Sequence, residues 1–404
     1  GLYQLLQNCS GYEEWIAFGV YTIVRDATPI PLFTRLNQGR IPLTDAELLK
    51  AVLLNAVAKN KPGRETEIAA QWDGIERDLQ RPEIWAFAAG GIQDDGRYGT
   101  RISLLFDTLA QEKSPTAGMP PRYHTFDTLR AEAESESLAL WKEIVTLHAQ
   151  ILGWFEEPKR YNKIGFLVTC GLSISVIQQH ARQKNKGAFD QWLTDEIRRT
   201  LNVRAEALDE DLRYDSRDGN ATLQRLLLLF NIDICRDRFP FEKHTSKSWT
   251  LEHIYAQDAQ KLNRAEEWKS WLEEHHKALQ VIQEVGNKDD VAGLLGEISD
   301  AINAVHDRGF GDRFDSLAGR VLQTLTPDDE GTDHTIANLA LLSHGDNAAL
   351  SNSVFEVKRQ KILDMDKEGA YIPAATRNVF LKYYTTAGHL QSHFWGLADK
   401  EAYR

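Results

Sequence analysis

The sequence predicts a mainly α-helical protein, and three observations carry that prediction. Apolar residues recur at helical spacing along most of the chain, capping residues stand ahead of such runs, and strand-like alternation is rare before residue 249. The 404 residues are 42% hydrophobic and 26% charged with only 12 Pro and 27 Gly, which excludes disorder and collagen-like repeats. At about 100–200 residues per domain, the length implies two to three domains.

The first clear element is IPLTDAELLKAVLLNAVAKN. Thr44 is its N-cap, Glu47 completes a capping box, and Leu48, Ala51, Val52 and Leu54 repeat at helical spacing, so a helix is expected over Asp45–Lys59. Further helical patterns cover 65–88, 127–156, 164–183, 187–201 and 220–231. The longest uncharged apolar stretch, Ile164 to Ile177, is shorter than the ~18–20 residues that span a bilayer and reads as a buried helix. A boundary is expected near 236–247, where Pro240 and mixed charge break the helical run. Cys9, Cys170 and Cys235 are odd in number and far apart, without CxxC spacing, which argues against a disulfide framework or zinc knuckle and for a reducing cytoplasm. The chain opens at Gly1 without the features of a signal peptide, which reads as a fragment or a processed chain.

After Trp249-Thr250-Leu251 comes EHIYAQ, then about 70 residues of charged, helix-prone sequence that read as a helical insertion. A short apolar run follows (Ile336 to Leu342), then a polar turn (Ser343 to Asn347) and a helix over about Ser353 to Met365. Strand, loop and helix therefore follow one another.

Glu252 and His253 end the short β-prone run, and Asn338 and Asn347 flank the second one. A neutral imidazole takes a proton from water near pH 7, and a carboxylate with an amide oxygen offers hard ligands to Mg²⁺. That inventory suits a metal-dependent phosphodiesterase, in which the ion neutralises charge on the scissile phosphate.

EHIYAQ, IANLALL, DNAALSN and FEVKRQK resemble the His-Asn-His (HNH, ββα-metal) nuclease motif in the form found in the DUF1524 domain, over about 240–404. YIPAATRNVFLKYY, with Trp395 and Asp399, resembles the end of such chains. FTRLNQGRIPLTDAELLKAVLL is similar to the closing motif of a DUF262 domain, with Arg35, Asn37 and Gly39 on its F-x-R-x-N-x-G pattern, while that family's D-G-Q-Q-R motif is absent here. The two domains occur together in bacterial anti-phage proteins, including GmrSD-type modification-dependent restriction enzymes. The resemblance implies a mainly α fold with a small C-terminal ββα-metal nuclease module carrying a helical insertion. It divides the chain into a DUF262 remnant (1–60), a helical spacer or recognition region (61–240) and a nuclease domain (241–404).

The resemblance implies residue roles as well. His253 is the general base, Glu252 and Asn347 are ligands of Mg²⁺ or another divalent cation such as Mn²⁺, Asn338 braces the loop holding the histidine, and Lys358 contacts phosphate. The implied activity is cutting or nicking of DNA, with no membrane partner, and with nucleotide binding only through an N-terminal portion not in this sequence. The competing reading is a non-catalytic module that senses a nucleotide or nucleic acid. Asn338 lies 85 residues beyond His253, so the insertion must loop out and return.

Other histidines have plainer readings. His389 and His393 share a helical face but lack the intervening glutamate of a metalloprotease, so a packed tail with Phe394 and Trp395 is preferred to a zinc pair. His275-His276 after Glu273-Glu274 reads as a solvated face, and His334 and His344 are near enough in sequence to touch phosphate.

The 47 Lys+Arg and 59 Asp+Glu give a net charge of −12, which excludes a uniformly basic nucleic-acid binder. Residues 331–404 carry 8 of each sign, so the whole excess lies upstream and a local phosphate site near Lys358, Arg359 and Lys361 is compatible with it.

Overall fold

The structure, a computed structural model, describes residues 43–90, 98–118, 120–203, 212–235, 237–255, 262–286, 289–325, 334–350, 353–385 and 393–404. Arg35, Asn37, Gly39 and His389 lie outside them. The described chain is mainly helical, with one two-stranded antiparallel sheet. Two compact units divide it: residues 1–80 with 93–150, and residues 81–92 with 151–404.

In the first unit, α1 (Asp45–Asn60) begins as its sequence requires: Thr44 accepts from the Glu47 amide and Glu47 accepts from the Thr44 amide. Helices α2 (Arg64–Leu79), α4 (Ser103–Lys113) and α5 (His124–Ser135) complete its described helices together with the first part of α6 (Ser137–Glu156). Trp72 stacks on Trp141 at 5.7 Å, and the Trp141 indole donates to Gln71 at 2.7 Å. Glu76 accepts from the amides of Arg101 and Ile102 and so ties α2 to the start of α4.

The second unit contains α3 (Pro82–Ala89), α7 (Pro158–Thr169), α8 (Ile174–Gln183), α9 (Lys186–Leu201), α10 (Arg217–Asp233) and the short α11 (Phe241–Thr245). The helix expected over 65–88 is two helices, because Pro82 has no amide to continue α2 and instead starts α3. The single buried helix expected across Ile164–Ile177 is also broken, between Thr169 and Ile174, with Gly171 at φ 97°. Residues around Pro240 are packed: Phe239 and Phe241 are buried, and the Tyr161 hydroxyl donates to the Phe239 carbonyl at 2.6 Å.

Strands β1 (Trp249–His253) and β2 (Leu339–Ser343) pair antiparallel, with Trp249 opposite Ser343 and His253 opposite Leu339. Between them run α12 (Ala265–Gly286), α13 (Asp289–Asn303) and α14 (Phe310–Leu325), which share a core around Leu279, Ile298, Phe314 and Val321. The insertion thus packs around an apolar interior that Val354 and Val357 join, and returns the chain to β2. The turn expected at Ser343–Asn347 is instead helix α15 (His344–Leu350), started where Ser343 accepts from the Asp346 amide. Helices α16 (Phe355–Lys367), α17 (Ala374–Phe380) and α18 (Leu397–Tyr403) follow. Helix α10 packs on both strands, α15 lies against them, and α16 meets α12 through Val354, Val357 and the Lys361 to Glu274 ion pair at 2.8 Å.

Candidate active site

The end of β1 is fastened from the other strand. Asn338, fully buried just ahead of β2, accepts at its side-chain oxygen from the Tyr255 amide (3.0 Å) and donates from its side-chain nitrogen to the Tyr255 carbonyl (3.2 Å). Its own carbonyl accepts from the Ile254 amide at 2.9 Å. The side chain here acts as an extra rung on the ladder, and with its own carbonyl Asn338 holds the two residues after His253. The 85-residue separation is bridged by strand pairing.

Side chains alternate along β1, so Glu252 and Thr250 share one face and His253 takes the other. On the first face the Asn347 side-chain nitrogen, from α15, donates to Thr250 Oγ1 at 2.8 Å and reaches the Leu251 carbonyl at 3.4 Å. Glu252 is buried and meets Lys358 Nζ at 2.5 Å, and the same ammonium donates to the His253 carbonyl at 2.6 Å. Lys358, expected on phosphate, is therefore turned inward with its side chain 1% exposed; burial beside a buried carboxylate holds it. Burial raises the Glu252 pKa, and the Lys358 charge offsets part of that rise. Burial likewise lowers the Lys358 pKa, against the pull of Glu252.

On the second face His253 Nε2 lies 3.1 Å from His334 Nδ1. Tyr214 stands edge-on to His253 with ring centroids 4.6 Å apart, and its amide donates to the His334 carbonyl at 3.1 Å. Tyr214 precedes α10 by three residues, in a turn where Ser216 caps the helix by accepting from Gly219. Tyr214 is not marked as a site residue in the sequence, because it lies 39 residues before His253 in what reads as spacer. The one available signal is the Ser216 cap, which shows that a helix starts there but not that it abuts β1.

His344, His393 and His275 have other surroundings. His344 opens α15 with an exposed side chain, its amide bonded to the Ser248 carbonyl. His393 Nδ1 sits 2.9 Å from a buried Glu356 oxygen, while Trp395 stacks near Phe355 and donates to the Ala337 carbonyl. His275 corrects the solvated-face reading: it is wholly buried against Trp271, bonds the Trp271 carbonyl at 2.7 Å, and its pKa is pushed down by burial to about 3.

A carboxylate and an amide oxygen have the donor chemistry of a hard divalent cation. Lys358 is the competing cation, engaging one oxygen of Glu252 and leaving the other as the atom a metal would use. Among the described residues no group of three or more His, Cys, Asp or Glu is clustered at metal-binding spacing, and no helix is long and apolar enough to cross a membrane. No protein-family model, curated protein or solved structure matches the chain.

Proposed function

We propose that this chain is a metal-dependent endonuclease of the HNH type that cuts or nicks DNA, acting in the cytoplasm within a prokaryotic anti-phage or modification-dependent restriction system. One observation carries the reading: Asn338 clamps both backbone groups of Tyr255 and so positions the end of the strand that presents His253. His253 takes a proton from a water whose oxygen attacks the scissile phosphorus, and the bond from phosphorus to the leaving sugar oxygen breaks, that oxygen taking its proton from solvent. Because Nε2 faces His334, that water either takes the place of His334 or approaches through Nδ1. Glu252 and Asn347 would hold Mg²⁺ or Mn²⁺, which supplies charge neutralisation at the phosphate. Lys358 acts from behind the site, fixing the Glu252 carboxylate and the His253 carbonyl rather than the substrate.

Plasmid nicking with and without Mg²⁺ tests the reading. His253→Ala should cost about 10²–10⁴-fold in rate, the usual contribution of a general base. A variant that nicks as fast as the parent, or activity that persists in excess EDTA, sinks the assignment. A second reading, a non-catalytic module that senses a nucleotide or nucleic acid, is favoured by the Glu252 to Lys358 pair, in which the carboxylate already has its cation. That reading expects DNA retardation in a gel without cleavage in any metal.

A further inference from the structure

His253 and His334 approach one another in a way that suits more than a hydrogen bond. Their facing nitrogens are 3.1 Å apart, and the rings meet at 65° with centroids separated by 5.3 Å. Two imidazole nitrogens bound at about 2.0–2.1 Å to one tetrahedral zinc are about 3.3–3.4 Å apart, so the pair needs to open by only about 0.2–0.3 Å. Each residue is also held by something besides the other ring. The β1 register and the Tyr214 edge fix His253, while the Tyr214 amide and the turn from Thr335 to Asn338 fix the backbone of His334. A site of this kind loses little freedom when an ion arrives.

We propose that His253 Nε2 and His334 Nδ1 form a binding site for a borderline transition cation of the Zn²⁺ class, with solvent completing the shell. Imidazole nitrogen selects Zn²⁺, Co²⁺ or Ni²⁺ over Mg²⁺, whereas the oxygen donors Glu252 and Asn347, on the other face of β1, have the opposite preference. Among the described residues no third His, Cys, Asp or Glu joins the pair, and the affinity depends on both rings. An ion there occupies the Nε2 lone pair of His253. On the nuclease reading it therefore inhibits cleavage, and this consequence alone rests on that reading.

Titration of the full chain with Co²⁺, followed by displacement with Zn²⁺, tests the site without any activity. The expected result is a visible band of tetrahedral Co²⁺ that Zn²⁺ abolishes. Binding should weaken about tenfold or more, about 1.4 kcal/mol, in His253→Ala and in His334→Ala alike. Asn347→Ala should leave it unchanged. His334→Gln, which keeps a polar side chain, provides the same comparison should the alanine variant fail to fold. Absence of the band in the parent, full affinity in either histidine variant, or loss of the band in Asn347→Ala overturns the proposal. Zn²⁺ inhibition of Mg²⁺-driven nicking is the second arm. A chain that binds Co²⁺ through both histidines but never nicks DNA sinks the nuclease reading while leaving the zinc site standing.

Discussion

Lys358 shows how far a single residue's role depends on its surroundings. Lysine is almost never fully buried unless paired, and here the pair is Glu252. Removing one partner of such a pair strands the other charge at a cost of about 3–5 kcal/mol, while replacing both by apolar groups is often neutral. Lys358→Met should therefore lower stability by about 3–5 kcal/mol, and Glu252→Leu with Lys358→Met should recover most of it. Chemical-denaturation midpoints of the two variants check this, and equal midpoints for single and double variant would show that the pair is not coupled. The adjacency of Glu252 and His253 is legible in the sequence. The inward turn of Lys358 is not, because a basic residue on a helix ahead of Arg359 and Lys361 reads as part of a solvated phosphate-binding face.

Asn338 and Gly165 act through the elements they join. Asn338→Ala removes both side-chain bonds to the Tyr255 backbone at a buried position. A loss of about 1–3 kcal/mol is expected, with faster amide exchange at Tyr255, and unchanged exchange there would count against the clamp. Gly165, inside α7, faces Phe241, and an added Cβ would lie 2.1 Å from that ring. Gly165→Ala should destabilise by about 1–3 kcal/mol, read from the thermal midpoint, because Phe241 is wholly buried and has little room to withdraw. Element starts marked by local chemistry are legible, Thr44 with Glu47 above all. Helix α4 and the breaks at Pro82 and Gly171 are harder to see within long apolar patterns, since a periodicity of 3.6 continues in register across a short interruption. In α12, by contrast, the signal is present: Trp271, His275, Leu279 and Ile282 fall at helical spacing and place His275 on the buried face. The neighbouring glutamates obscure it.

Across the second unit, two buried imidazoles set a dependence on pH. Burial pushes His244 from 6.5 down to about 4 and His275 from 6.5 down to about 3. Both folded values lie below the unfolded one, so in the window from 6.5 downward the unfolded chain holds more protons and stability falls as pH falls. Each should cost about 2 kcal/mol between pH 7.5 and pH 5. Glu252, whose pKa burial raises, works in the opposite sense. Denaturation midpoints at the two pH values, with the His244 and His275 ring resonances followed by NMR, check the expectation. Rings that titrate near 6.5 in the folded protein would refute it. The charge of −12 adds a second dependence: DNA binding without metal should be weak and fall steeply with salt, and salt-insensitive retention of DNA would contradict a phosphate-led contact.

The mainly helical character, the capping of α1, the second β-prone run and the chemistry of Glu252, His253, Asn338 and Asn347 are determined by the sequence itself, because capping, periodicity and side-chain type act within a few residues. Which of those groups face one another is decided only by the tertiary structure. Strand alternation sends Glu252 towards Lys358 and His253 towards His334, and α10 carries Tyr214 against a histidine 39 residues further along the chain. Such encounters follow from strand pairing and helix packing over long separations in sequence, where no local pattern records the partner.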